Sequence, residues 1–152
     1  MTIVPGSKPF VDVVTELLSR GYRVRFRAQG ASMRPAIRGG ETITIEPVSE
    51  IKMGDIALYR ADRGLIAHRV VGIRNGNGKA PVFLTRGEAT SSTEEAVEEQ
   101  QVLGKVVAVE RNGQSIDLGG RWAKLRYRAR SFARSAGRWG ARLSGVHGAG
   151  WR

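Results

Sequence analysis

From Tyr22 to Leu118 apolar residues recur at alternate positions in short stretches, each closed by glycine, proline or asparagine. A period of two cut that often points to a sheet of short antiparallel strands. Tyr22 to Gln29 sets Tyr, Val, Phe and Ala against Arg23, Arg25, Arg27 and Gln29, a strand with one wet, basic face. Glu41 to Glu46 alternates around Ile43 and Ile45 before Pro47, and Ile51 to Asp55 turns the chain into an apolar strand from Ile56 to Tyr59. Ala61 to Gly64 reads as a hairpin turn into a strand from Leu65 to Arg74, with His68 near its middle. Asn75-Gly76-Asn77-Gly78 is a strong turn signal before a strand from Pro81 to Thr85. Val102 to Glu110 and Ser115 to Leu118 form a hairpin across Asn112-Gly113. Gly87 to Gln100 is acidic and poor in apolar residues, and is expected to be a loop with one helical turn near Glu94 to Glu99.

Helical periods occur only at the two ends. Pro9 to Arg20 places Phe10, Val13, Val14, Leu17 and Leu18 on one face, with Ser7 as the cap and Gly21 as the stop. Trp122, Leu125, Ala129, Phe132, Ala136, Trp139 and Leu143 repeat at three and four, with lysine and arginine mainly on the other faces. The net charge of +11 is concentrated there: residues 121 to 152 carry nine of the 25 basic residues and none of the 14 acidic ones. Residues 1 to 120, with 16 basic against 14 acidic, are close to neutral. The chain therefore divides into a β domain over 1–120, which includes the N-terminal helix, and a basic amphipathic helix and tail over 121–152. A Trp-anchored, Arg-rich helix over residues 121–143 suits an anionic membrane surface, and with no base-stacking platform beside it nucleic acid is the weaker partner. No apolar run reaches the roughly 18 residues of a bilayer span and no secretion signal is recognisable, so a cytoplasmic place or one on the membrane periphery is expected. There is no cysteine, which removes disulfides and thiolate chemistry, and two histidines are too few for an all-protein metal site. No cofactor is expected.

The strand ending at Gln29 runs into Gly30-Ala31-Ser32-Met33-Arg34-Pro35, where small residues and a proline hold a serine at a strand end. His68, in Ile66-Ala67-His68-Arg69-Val70-Val71-Gly72, is the one histidine of the β domain and the candidate base. With these two residues in place, the chain resembles the type I signal peptidases of the Ser-His branch, typical of archaea and the endoplasmic reticulum. The resemblance rests on ordered motifs: Ala31 to Pro35 with Ile37 to Gly40 for the nucleophile box, Gly54 to Tyr59 for the Gly-Asp-Ile-Val-x-Tyr strand, and His68 immediately before Arg-Val-Val-Gly. Thr85 to Thr90 matches the Thr-Lys-Gly-Asp-x-Asn segment and Gly104 to Val106 the Gly-Lys-Val strand, so the similarity spans about Arg27 to Val109.

That resemblance implies a mainly β, antiparallel signal peptidase/LexA-like fold and a serine endopeptidase that cleaves a peptide or protein precursor after small residues. It implies Ser32 as nucleophile, His68 as general base, Gly30 and Ser32 as the oxyanion hole, and Met33 and Pro35 beside the substrate. The family's two aspartates fall on glutamates here, Glu88 and Glu94, either of which could orient the imidazole. Asp55 is expected to stabilise its turn. Departures from the family are the missing membrane-spanning helix before the serine and the two Asp-to-Glu positions. The alternatives are a non-catalytic peptide-binding or membrane-associated module on the same fold, and a LexA-like self-cleaving protein, which would use lysine where His68 stands.

Overall fold

A computed structural model describes residues 5–75, 78–89, 92–121 and 123–130. The first helix, α1 (Lys8–Ser19), begins where Ser7 caps the Phe10 N–H at 3.4 Å and ends at Gly21, whose φ of 86° suits glycine. There the Gly21 and Tyr22 N–H groups fold back onto the carbonyls of Leu18 and Leu17, closing the helix end with two bonds. The apolar period turns Val11, Val14 and Leu18 inward, and Phe10 meets Phe26 edge to face with centroids 5.0 Å apart.

Eight strands follow among the described residues: β1 (Val24–Arg27), β2 (Thr42–Pro47), β3 (Ile56–Ala61), β4 (Gly64–Arg74), β5 (Val82–Arg86), β6 (Glu94–Glu98), β7 (Val102–Arg111) and β8 (Gln114–Asp117). They form one curled antiparallel sheet in the order β1-β2-β7-β3-β4-β5-β6, with β8 paired to β7. Register shifts at Thr44/Ile45, Leu58/Tyr59 and Val70/Gly72 bend the strands that carry them. Both faces are covered at the centre. Ile56 and Leu58 join Ile43, Ile45, Val106 and Val109 under α1, while Ala57 and Tyr59 pack with Val70, Phe83 and Val97 on the opposite face. That two-sided burial is why β3 reads as an uninterrupted apolar run.

The segment from Gly87 to Gln100 departs from the expected loop. Glu94–Glu98 is an edge strand on β5, in register Arg86↔Glu94 to Val82↔Glu98, and Glu99–Gln101 is a short 3-10 turn. Only Val97 is fully buried in β6, so the strand has almost no apolar signature; its glutamates are the charges that sheet edges use against further pairing. Of the expected C-terminal helix, residues 123–130 are helical (α2), and its continuation to Leu143 lies outside the described residues. α2 is seated on the domain by Lys124, whose Nζ lies 2.5 Å from the buried Asp55 carboxylate, and by Tyr127, whose ring lies 4.5 Å from the Arg69 guanidinium. Asp55 also accepts the Lys52 N–H at 2.8 Å, the expected turn-stabilising contact. No helix among the described residues is long and apolar enough to cross a membrane.

Candidate active site

The loop after β1 is closed at its base by two backbone bonds, Ala28 N–H to Glu41 at 2.9 Å and Gly40 N–H to Ala28 at 2.8 Å. Inside it Met33 and Ile37 turn into the core, 5% and 4% exposed, so the loop is anchored by apolar burial. The outer side is held by Glu41, which accepts the Arg38 N–H at 2.8 Å and pairs with Arg111 at 2.5 Å. Arg111 in turn donates to the carbonyls of Pro35 and Ala36, and holds the Glu41 carboxyl below the usual carboxylate range. Gly30 sits at a φ of 82°, and Ser32 follows with its side chain exposed. The Ser32 carbonyl accepts the Ala89 N–H at 2.9 Å. A Cβ at Gly87 would stand 2.5 Å from that carbonyl oxygen, so the 87–89 segment can lie against the serine loop only with glycine there.

His68 lies opposite Ala57 on the β3–β4 ladder and is 6% exposed. Its Nε2 is 3.1 Å from Ser32 Oγ and its Nδ1 is 3.2 Å from the Tyr59 hydroxyl. Tyr59 donates to Glu95 Oε2 at 2.8 Å, and the Thr85 hydroxyl lies 3.3 Å from the phenol oxygen. Burial lowers the His68 pKa below its ordinary value; the Glu95 charge opposes this and Arg63 adds to it. Burial pushes the Tyr59 phenol up, so it stays protonated. An imidazole left neutral beside an exposed hydroxyl can take a proton from it, and the Ser32 N–H has no bonded acceptor among the described residues.

Ser32, His68, Gly30 and Met33 all line one groove of ≈ 490 Å³, whereas Pro35 is exposed outside it and acts on the loop through its carbonyl. The two glutamates expected behind the histidine are engaged elsewhere. Glu88 pairs with Arg69, both side chains buried with only 5% and 4% exposed, and Arg69, one residue from His68 on a strand, faces away from it. Glu94 is half exposed and lies 3.7 Å from Arg86. The carboxylate that reaches the site is Glu95, next in β6: alternation turns Glu94 out and Glu95 with Val97 in, opposite Thr85. Tyr59 and Glu95 were therefore missed by sequence reasoning, and the signal that finds them is the strand register of β6.

The groove runs between the end of β1, with Ala28 and Gln29, and the first half of β4, from Leu65 to His68. β3 pairs with Gly64–Arg69 of β4, and β5 begins only at Arg69, so among the described residues the outer backbone edge of 64–68 has no strand partner. Comparisons of the chain with protein families, with curated proteins and with solved structures find no match.

Proposed function

We propose that this chain is a serine endopeptidase of the signal peptidase type, on a signal peptidase/LexA-like fold. The observation that carries the reading is the 3.1 Å approach of His68 Nε2 to the exposed Ser32 Oγ at the edge of an open groove. His68 takes the hydroxyl proton as Ser32 attacks the scissile carbonyl, returns it to the leaving amine, and water then hydrolyses the acyl-enzyme by the same route. The substrate lies as an added strand on the free edge of residues 64–68, its side chains against Ala28, Ala31 and Ala67, which favours small residues. Histidine at the base position separates this reading from the LexA-like one. Treating the full chain with a fluorophosphonate probe is expected to label Ser32 in the native protein and not in His68→Ala. The labelling rate is expected to climb with a midpoint below about 6.5, because the base must be neutral and burial lowers its pKa. Absence of labelling would leave a peptide-binding module on the same fold.

For a partner beyond the substrate, we propose an anionic membrane surface against α2. Lys124 and Tyr127 fix the rotation of that helix, and Arg121, Leu125 and Arg128 share the stripe beside them, lining a groove with Met53. Leu125 is 55% and Met53 48% exposed, an apolar centre between cations that suits lipid better than nucleic acid. Each cation near an anionic surface contributes about 1 kcal/mol, so binding is expected to be reversible and weakened by salt. Sedimentation with vesicles of phosphatidylcholine and phosphatidylglycerol is expected to retain the protein, pure phosphatidylcholine to retain little, and Leu125→Ser to reduce retention. Equal retention by both vesicle types would overturn this assignment.

A further inference from the structure

We propose that Tyr59 and Glu95 are positioning residues that hold His68 in the tautomer a general base needs, with the hydrogen on Nδ1 and the lone pair on Nε2. The inference rests on the peptidase reading for its purpose, and on hydrogen-bond polarity for its content.

A phenol has one hydrogen, and that of Tyr59 has three close partners; Thr85 donates to the phenol oxygen at 3.3 Å, which leaves Glu95 Oε2 at 2.8 Å and His68 Nδ1 at 3.2 Å as the groups that could receive the hydrogen. The carboxylate is the closer and the charged acceptor, so the hydrogen goes to Glu95. The phenol oxygen then presents only lone pairs to Nδ1, and a bond at 3.2 Å requires Nδ1 to be the donor. With its hydrogen on Nδ1, the neutral ring carries a lone pair on Nε2, the atom 3.1 Å from Ser32 Oγ. Polarity thus runs one way, from Ser32 through His68 and Tyr59 to Glu95. When Ser32 gives up its proton, Nε2 receives it, Nδ1 keeps its own hydrogen on the phenol oxygen, and Tyr59 keeps its hydrogen on Glu95. No proton leaves the chain of groups. The positive charge on the ring is offset by the Glu95 carboxylate acting through the phenol, in the place where a carboxylate usually touches the imidazole directly.

The groups that face His68 fix the sign of the pH behaviour. Tyr59 comes from β3, Thr85 from β5, Glu95 from β6, Ser32 from the loop after β1, and Arg63 from the β3–β4 turn, 3.3 Å from Glu95. Glu95 is the anion of this set; its neutralisation removes the one charge that favours the imidazolium and moves the acid limb of activity to lower pH.

The test is the tautomer of His68 in the full chain labelled with nitrogen-15 histidine, read from the two ring-nitrogen shifts above the His68 pKa, with His147→Gln used to assign the second ring. The native protein is expected to show hydrogen on Nδ1. Tyr59→Phe removes the acceptor and is expected to move the hydrogen to Nε2 and to slow Ser32 labelling by about 100-fold. Glu95→Ala, at a partly exposed position that folding tolerates, frees the phenol to donate to Nδ1 and is expected to give the same shift of tautomer. Glu95→Gln keeps an acceptor oxygen, so it is expected to keep hydrogen on Nδ1 while lowering the midpoint of the labelling profile. Hydrogen remaining on Nδ1 in both Tyr59→Phe and Glu95→Ala would overturn the proposal. If native Ser32 is not labelled while the tautomer still shifts in the variants, the peptidase reading fails and the positioning assignment stands.

Discussion

Ser32→Ala is expected to lower kcat/KM for cleavage of a small-residue peptide by about 10⁴-fold or more, because Ser32 carries the groove hydroxyl that lies 3.1 Å from His68 Nε2. The Ser32 side chain is exposed and buries no apolar surface, so the folded state should change by no more than about 0.5 kcal/mol. A loss of that size without a loss of stability separates a reacting group from a structural one. The pairing with His68 sharpens the test. If Nε2 serves only to take the Ser32 proton, Ser32→Ala and His68→Ala remove the same event, and the double variant should be no slower than either single one. Independent, multiplying losses would mean that the two side chains contribute separately and that the 3.1 Å contact is not a proton path. Cleavage retained by Ser32→Ala would end the protease assignment.

Legibility in the sequence followed burial. Strands with one buried face, such as β2 with Ile43 and Ile45, advertise themselves by alternation, and α1 by Ser7, its apolar stripe and Gly21. The Ser32 loop and His68 were legible because each sits next to residues with tight backbone demands, Gly30 and Pro35 around the serine and the β4 strand around the histidine. β6 was not legible, since an edge strand with one buried valine and four glutamates around it has the composition of a solvated loop. The choice between Glu94 and Glu95 depended on that strand: a one-residue change of facing decides which carboxylate reaches Tyr59. Tyr59 itself was visible as a strand residue, yet its use became apparent only when the β3–β4 register set it beside the histidine ring.

Glu88 gives the second large effect, and it should fall on stability rather than on chemistry. Its carboxylate and the Arg69 guanidinium are both at least 95% buried, and Arg69 is further committed to the Gly54 carbonyl at 2.9 Å and to the face of Tyr127. Removing one partner of such a pair leaves the other charged group in a poorly solvated site, at a cost of about 3–5 kcal/mol. Glu88→Ala is therefore expected to lower the unfolding free energy read from urea titration by that amount, through a lower midpoint with little change in slope, and to loosen α2 through Arg69. Replacing both partners, as Arg69→Met with Glu88→Leu, should recover a large part of the loss, since an apolar pair leaves no stranded charge. Among the molecules that remain folded, the midpoint of the Ser32 labelling profile should stay where it is, because Arg69 and Glu88 lie on the face of the sheet away from the imidazole. Glu95→Gln should show the opposite pattern, a displaced profile with nearly native stability, because Glu95 is partly exposed and acts on His68 through Tyr59. A displaced profile in Glu88→Ala would return that residue to the catalytic centre and remove Glu95 from it.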